Sequence, residues 1–392
     1  MARAFFAWEL GGDLGHARRV LAVARELRAL GHETAFAFSD LAPLGSLGDA
    51  TLEWYQAPLT ALNPRPNLAP LSASDILLNR GFGDAAGLAG ALRGWLGIFE
   101  LWKPDLLVSD YAPAAQLAAR AAGLRRIAIG SGFSTPEPRE PMASLRSWIA
   151  SDEGQLRQLD ARLLAGVRGA FDRIDAQPRA PASAGEVFRA DAQLLCTWPE
   201  VDPFGPREGV EYLGPQDDTR LGALTTWRGD KRPRIFAYLK VRDARFPAML
   251  DAVRAVAADA VVAAPGMPPR MCAALSTGSV RVFGEPLALA ELLPGADLCV
   301  CHGGPGIVGR ALEAGVPLAL LPIQLEQFLI GRRVVSAGAG AMLAPDETLP
   351  DLEHWLTQVL AHGDLRAAAA ASTLRGRTPA SAGTRIAREL ER

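Results

Sequence analysis

The residues of this chain best placed to do chemistry are Cys301-His302-Gly303-Gly304-Pro305-Gly306. An apolar run, Asp297–Cys301, has the length and branching of a buried strand, and Val308, Ala311, Leu312 and Val316 then recur at helical spacing. A strand that feeds a helix through a glycine turn leaves unpaired backbone N–H groups and the positive dipole end at its tip, where a diphosphate is held well. Gly303, Gly304 and Gly306 let the phosphate approach, and His302 is expected to add a donor at the strand tip. Taken alone, the run also reads as a tight turn with no ligand, because short glycine patterns are frequent in such turns.

The elements that must position these residues alternate between strand and helix, which signals parallel sheets covered on both faces. Strands are expected at Arg3–Trp8, Thr34–Phe38, Asp105–Ser109 and Arg126–Gly130, with helices at His16–Leu30, stopped by Gly31, and at Ala112–Ala122. The periodicity lapses around Gly214–Pro233. It restarts with strands at Arg234–Leu239, Ala260–Ala264, Val280–Phe283 and Asp297–Cys301 and helices at Phe246–Ala257 and Leu287–Leu293. The expected organisation is an N-terminal domain over residues 1–213, a linker over 214–233 and a C-terminal domain over 234–392, with the last helix a candidate to pack back on the first domain. The alanine-rich final stretch reads as helical, with Ser372 and Ser381 as capping candidates. Pro58–Gly83 and Ser131–Met142 read as long loops at the working edge of the sheet. Two such sheets leave a cleft beyond the carboxyl ends of their strands, where ligands of open α/β sheets bind.

Composition narrows the classes. A length of 392 residues suits two domains of ordinary size, and 49% hydrophobic residues can fill both cores. A net charge of −2 argues against a nucleic-acid partner, since little positive charge is in excess to neutralise phosphates. Cys196, Cys272, Cys299 and Cys301 lie in or beside apolar segments. Cys299-Val300-Cys301 would point both thiols to one face, but no partner pair completes a zinc set. Buried thiols suit a reducing compartment. The N-terminus lacks the parts of an export signal, and no window reaches about twenty apolar residues free of charge or proline. The expectation is a cytoplasmic protein without a transmembrane segment.

Together the motifs resemble the nucleotide-sugar-dependent glycosyltransferases of the GT-B fold, in the branch of the UDP-glucuronosyl- and UDP-glucosyltransferases. The likeness rests on His302-Gly303-Gly304-x-Gly306, Ala314-Gly315-Val316-Pro317, Pro322 and Glu326-Gln327. Gly12-x-x-Gly15-His16, Leu30-Gly31-His32 and Pro104-Asp105-Leu106-Leu107-Val108-Ser109-Asp110 reinforce it. It implies two α/β, Rossmann-like domains facing across a cleft, the first binding an acceptor and the second a nucleotide sugar. It assigns His302, Gly303, Gly304 and Gly306 to the donor diphosphate. Glu326 and Gln327 fall to the sugar, because a carboxylate and an amide can accept from and donate to a vicinal diol. The nucleobase falls near Phe283 and Leu287. Glycosyl transfer passes through an oxocarbenium-like state and needs a base on the incoming hydroxyl. The resemblance gives that role to His16, whose place at a helix N-terminus should favour the neutral imidazole, with Asp110 as its orienter. Read without the family, the two are plain helix-capping residues.

This sequence departs from the family pattern. Ile307 stands where a hydroxyl residue is usual, and Arg310 where a glutamate commonly binds the ribose diol. Glu326 replaces an aspartate. The first strand of the second half ends in Tyr238-Leu239-Lys240-Val241-Arg242 rather than a small hydroxyl residue and glycine, so Lys240 is expected to reach the diphosphate as a point charge. Asp217-Asp218 falls in the linker and Asp13 stands alone, so no metal site and no cofactor are expected. The co-substrate would be a nucleoside diphosphate sugar, a UDP-sugar first and a dTDP-sugar second. The expected function is inverting, metal-independent transfer of a hexose to a hydroxyl of a small lipophilic or aromatic acceptor, hinted at by Trp54, Phe82, Phe133 and Trp148. Alternatives are a nucleotide-sugar epimerase, which would not need the long loops, and a silent binding protein, which Ile307 and Arg310 support. A dinucleotide-binding dehydrogenase fails because Leu10 stands where the fingerprint needs its first glycine.

Overall fold

The computed structural model describes residues 1–12, 14–42, 52–60, 62, 69–216, 222–345 and 349–391. Asp13 and the Asp217-Asp218 pair lie outside the described residues. Short apolar runs build one parallel sheet in each half of the chain. The first comprises β1 (Arg3–Trp8), β2 (Glu33–Phe38), β3 (Glu53–Gln56), β4 (Leu106–Asp110), β5 (Arg125–Gly130), β6 (Ala192–Leu195) and β7 (Glu211–Tyr212), in the order β3-β2-β1-β4-β5-β6-β7. The second comprises β8 (Arg234–Tyr238), β9 (Asp259–Ala263), β10 (Val280–Phe283), β11 (Leu298–Cys301), β12 (Leu318–Leu320) and β13 (Gly340–Met342), in the order β10-β9-β8-β11-β12-β13.

Both orders run outward from a first strand, return past it and continue on the other side. That reversal makes a topological switch point between β1 and β4, and another between β8 and β11. Burial on both faces explains why the strands read as apolar runs rather than alternating ones. Phe5 and Ala7 join one core while Phe6 and Trp8 join another on the opposite face. Leu298 and Val300 enter one core of the second sheet, and Cys299 and Cys301 share the other face as free, buried thiols.

The chain divides into two compact units, Met1–Cys196 with Gly209–Leu213 and Ser381–Arg392, and Thr197–Glu208 with Gly214–Ala380. The segment 197–208 therefore packs with the second half, although it precedes the expected linker. Trp198 and Val201 are buried in the core that holds Val308 and Leu312, and Trp198 Nε1 donates to Glu313 Oε1 at 2.7 Å. The helix Ala382–Leu390, capped by Ser381, lays Ile386 and Ala387 into the core of the first unit beside Val23 and Leu27. No helix begins at Ser372, whose hydroxyl accepts from Leu374 N within a turn.

The stretch read as a long loop before Gly83 contains a helix, Ala73–Asn79, with Ser72 as its N-cap. Two long helices, Ala85–Trp102 and Glu153–Arg173, cover the same face of the first sheet. The turn that leads into the first of them packs directly on Gly166 of the second, where an added Cβ would lie 2.2 Å from the Phe82 carbonyl oxygen. No helix among the described residues is long and apolar enough to cross a membrane.

Gly166→Ala is expected to destabilise the protein by about 1–3 kcal/mol through overpacking. Gly90→Ala sits in the middle of an exposed helix face with nothing within 4 Å of the added carbon. It should stabilise by about 0.5–1 kcal/mol. Urea midpoints measure both, and equal shifts would refute the close-packing account of Gly166.

Candidate active site

The two switch points carry the polar side chains. In the first unit Trp8 and Asp110 are register partners at the carboxyl ends of β1 and β4, and Leu10 N donates to Tyr111 O beyond them. The chain then enters the helix Leu14–Ala29, which places His16 in its first turn. His16 Nδ1 lies 2.8 Å from Asp110 Oδ1, and Arg19 NH1 donates to Asp110 Oδ2 at 2.7 Å. Asp110 has no exposed surface. Burial alone would raise its carboxyl, but the charges of Arg19 and His16 and their hydrogen bonds outweigh it and hold the pKa below the ordinary value. The carboxylate is then an acceptor only, so the His16 Nδ1 that faces it carries a proton.

The imidazole is sandwiched. Trp8 stacks on it at 5.6 Å and Tyr111 at 6.3 Å. Tyr111 adopts φ 51°, a left-handed conformation unusual for a bulky residue and a mark of local strain. Gly11, at φ +88°, fixes the other side: a Cβ there would fall 2.4 Å from His16 Nε2. The missing side chain keeps the basic nitrogen clear.

Glu9 follows β1 directly and is buried. Its Oε2 and Oε1 accept from Ala114 N at 2.9 Å and Ala115 N at 2.7 Å, capping the helix Pro113–Ala122. Burial nonetheless pushes its pKa up to about 8, against the pull of both N–H bonds.

In the second unit His302 follows β11 at the other switch point. Its Nδ1 lies 2.8 Å from Leu321 O, and its Nε2 accepts from Lys240 N at 2.9 Å across the gap to the end of β8. Burial holds the imidazole below its usual pKa, although the Leu321 bond and the nearby Asp243 carboxylate push it up. A neutral ring with both nitrogens engaged by backbone offers no donor to a phosphate. The residue expected to donate to the diphosphate ties two strand ends together in this structure. Asp243 belongs to the same cluster. Its own burial acts to raise its pKa, but Arg245, which also donates to Leu321 O and Pro322 O, lowers it.

Gly303 holds φ +88°, and a Cβ there would meet Gln327 O at 2.9 Å, so the glycine turn and the Glu326-Gln327 segment are in contact. Gly304 is the N-cap of the helix Pro305–Glu313 and provides no side-chain cap. Nothing lies within 4 Å of a Cβ added at Gly306, which leaves the helix N-terminus uncovered there. Gln327 Oε1 accepts from Ile323 N at 3.0 Å. Glu326 is half-buried in the first turn of the helix Leu325–Ser336. Lys240 is half-buried beside His302.

Arg310 does not turn to solvent. It pairs with Glu313 at 2.9 Å and donates to Pro215 O at 3.1 Å. Leu287 is 3% exposed and belongs to the core, and Phe283, the other residue expected near the nucleobase, packs half-buried against it. Phe82 is likewise a core residue, whereas Phe133 stands edge-on to Tyr111 at 6.2 Å. Arg19 was missed from the sequence. Its spacing of three residues from His16 puts both on one helix face, which is the signal that could have found it.

The profile of the C-terminal domain of erythromycin biosynthesis protein CIII-like proteins matches residues 247–390. A zeaxanthin glucosyltransferase of Pseudescherichia vulneris is 25% identical over 368 residues, covering 86% of each chain. A PGL/p-HBAD biosynthesis rhamnosyltransferase of Mycobacterium bovis is 27% identical over 299 residues, 70% of this chain and 64% of that one. Among solved structures, a spinosyn rhamnosyltransferase complexed with thymidine diphosphate superposes with a TM-score of 0.67 at 18% identity, over 100% of both chains. The fold of the present chain is that of GT-B glycosyltransferases.

The pH dependence of folding follows from Glu9 and Asp110. Glu9, raised from 4.5 to about 8, contributes stability that is fully present below 4.5 and is lost as pH rises through 8. Asp110, depressed below 3.8, contributes stability that is present above that value and lost as pH falls through its folded pKa. In urea denaturation from pH 4.5 to 8, wild-type stability should fall relative to Glu9→Gln, while the lowered His302 contributes the same rise to both. Parallel pH profiles would rule out the raised carboxyl.

Proposed function

We propose, for a chain that is a glycosyltransferase of the GT-B, UDP-glycosyltransferase-like type, that it transfers a hexose with inversion from a nucleoside diphosphate sugar to a hydroxyl of a small lipophilic or aromatic acceptor. The observation that carries this reading is the His16–Asp110 contact at 2.8 Å, with Nε2 on the side of Gly11. Nε2 takes the proton of the acceptor hydroxyl, and the oxygen displaces the diphosphate from the anomeric carbon in one step. Asp110 remains ionised and stabilises the imidazolium. Both its oxygens are engaged and it has no exposed surface, so it is badly placed to attack the sugar itself. A single displacement inverts the anomeric centre.

The donor is read onto the second unit. The N-terminus of the Pro305–Glu313 helix, approached over Gly304 and Gly306, meets the diphosphate, and Lys240 adds a point charge. Helix dipole and cation together would stabilise the departing diphosphate without a metal. Glu326 and the amide of Gln327 hold the sugar hydroxyls. Thymidine diphosphate in a structural neighbour makes dTDP-sugars a donor class equal to UDP-sugars for testing. The edge of Phe133 beside Tyr111 and His16 suits a flat, apolar acceptor.

A panel of UDP- and dTDP-hexoses screened against phenolic and polyene alcohols, read by mass gain, should give a glycosylated product of inverted configuration. His16→Ala should lower kcat/KM by about 10²–10⁴-fold, while UDP or dTDP binding measured by calorimetry persists. Retained turnover would remove His16 from the role of base. Lys240→Ala should weaken nucleotide binding, and unchanged affinity would discard the point-charge assignment. Transfer should survive EDTA; a loss restored by magnesium would overturn metal independence.

A further inference from the structure

We propose that Arg19 is a positioning residue that keeps the proton of His16 on Nδ1 and Nε2 free to act as base. The inference rests on the reading of His16 as base and adds to it a residue that never meets substrate. Arg19 reaches Asp110 at 2.7 Å from the same helix face as His16, and it is itself buried.

The argument is a charge count. Asp110, His16 and Arg19 form a buried cluster, and the two oxygens of Asp110 face the other two residues. With a neutral ring, guanidinium and carboxylate cancel. Without Arg19 the pair retains one uncompensated negative charge in a site that disfavours it. The economical relief is to take up one proton from solvent. That proton rests either on Asp110, whose hydroxyl then donates to Nδ1 while the ring proton moves to Nε2, or on the ring itself. Both outcomes place hydrogen on Nε2, and a protonated Nε2 accepts nothing.

Among the described residues, the following neighbours of the cluster do not substitute for Arg19. Trp8 and Tyr111 bring uncharged rings. Just past β6, Cys196 presents a thiol that burial raises to about 12, hence neutral. Glu26, two turns along the helix, is occupied by Ser381 Oγ at 2.7 Å and Gly383 N at 2.9 Å. A buried ion pair is weak evidence for stability in itself, which leaves control of the neighbouring ring as its clearest consequence.

The chain has five histidines, so nitrogen-15 spectra of histidine-labelled protein are tractable, with His16→Gln giving the assignment. At pH about 7.5, above the ordinary imidazole value, wild-type His16 should show a protonated Nδ1 and an unprotonated Nε2. In Arg19→Met and the neutral Arg19→Gln, the Nε2 resonance should shift to the protonated range, and Arg19→Lys should restore the wild-type pattern. Unmoved signals from the other four histidines establish that the variants fold. If Nε2 stays unprotonated in both neutral variants, Arg19 has no such role and the base assignment survives. Should wild-type Nε2 already carry the proton, the base assignment falls, and this proposal with it.

Discussion

A carboxylate with no exposed surface cannot remain charged unless donors surround it, and Asp110 is such a group. Its place at the end of β4 is set by sheet topology, because the switch point is where the strand ends open a crevice and no crossover covers them. Once a charged group is buried there, the rest of the first unit's polar architecture follows. The first helix must turn two side chains towards it, and spacing at positions 16 and 19 meets that demand. The tight approach of helix to strand in turn requires Gly11, since any side chain there would collide with the ring.

The second unit solves the matching problem differently. Its switch point also carries a histidine, yet His302 is neutral and bound at both nitrogens by backbone groups. One imidazole faces a buried carboxylate; the other bridges strand ends beside the loop after β8. The difference arises from partners rather than position. A carboxylate with a guanidinium faces the first ring, while a carbonyl oxygen and an amide hydrogen face the second.

Much of this was legible in the sequence, and the limits have physical causes. The strands were readable because both faces are buried, so short branched runs stand out between glycine turns. The glycine turn at 303–306 was readable because few other arrangements require that composition. The His16–Asp110 contact came through resemblance, since ninety-odd intervening residues hide it from local pattern. What local pattern could not supply was the state of each side chain. Nothing in the string 301–306 says that His302 Nε2 meets an amide hydrogen from residue 240, or that Leu287 is drawn inward by the Gly222–Ala223 segment paired beside it. Residues 197–208 pack with the second unit because Trp198 finds its partner, Glu313, far along the sequence, beyond the reach of local pattern.

The return of the helix Ala382–Leu390 to the first unit has a consequence for biosynthesis. Ile386 and Ala387 complete a core whose other members, among them Phe6, Val23 and Leu27, leave the ribosome before the second unit does. That core stays partly open until the entire second unit has been translated, so the half of the molecule made first is finished last.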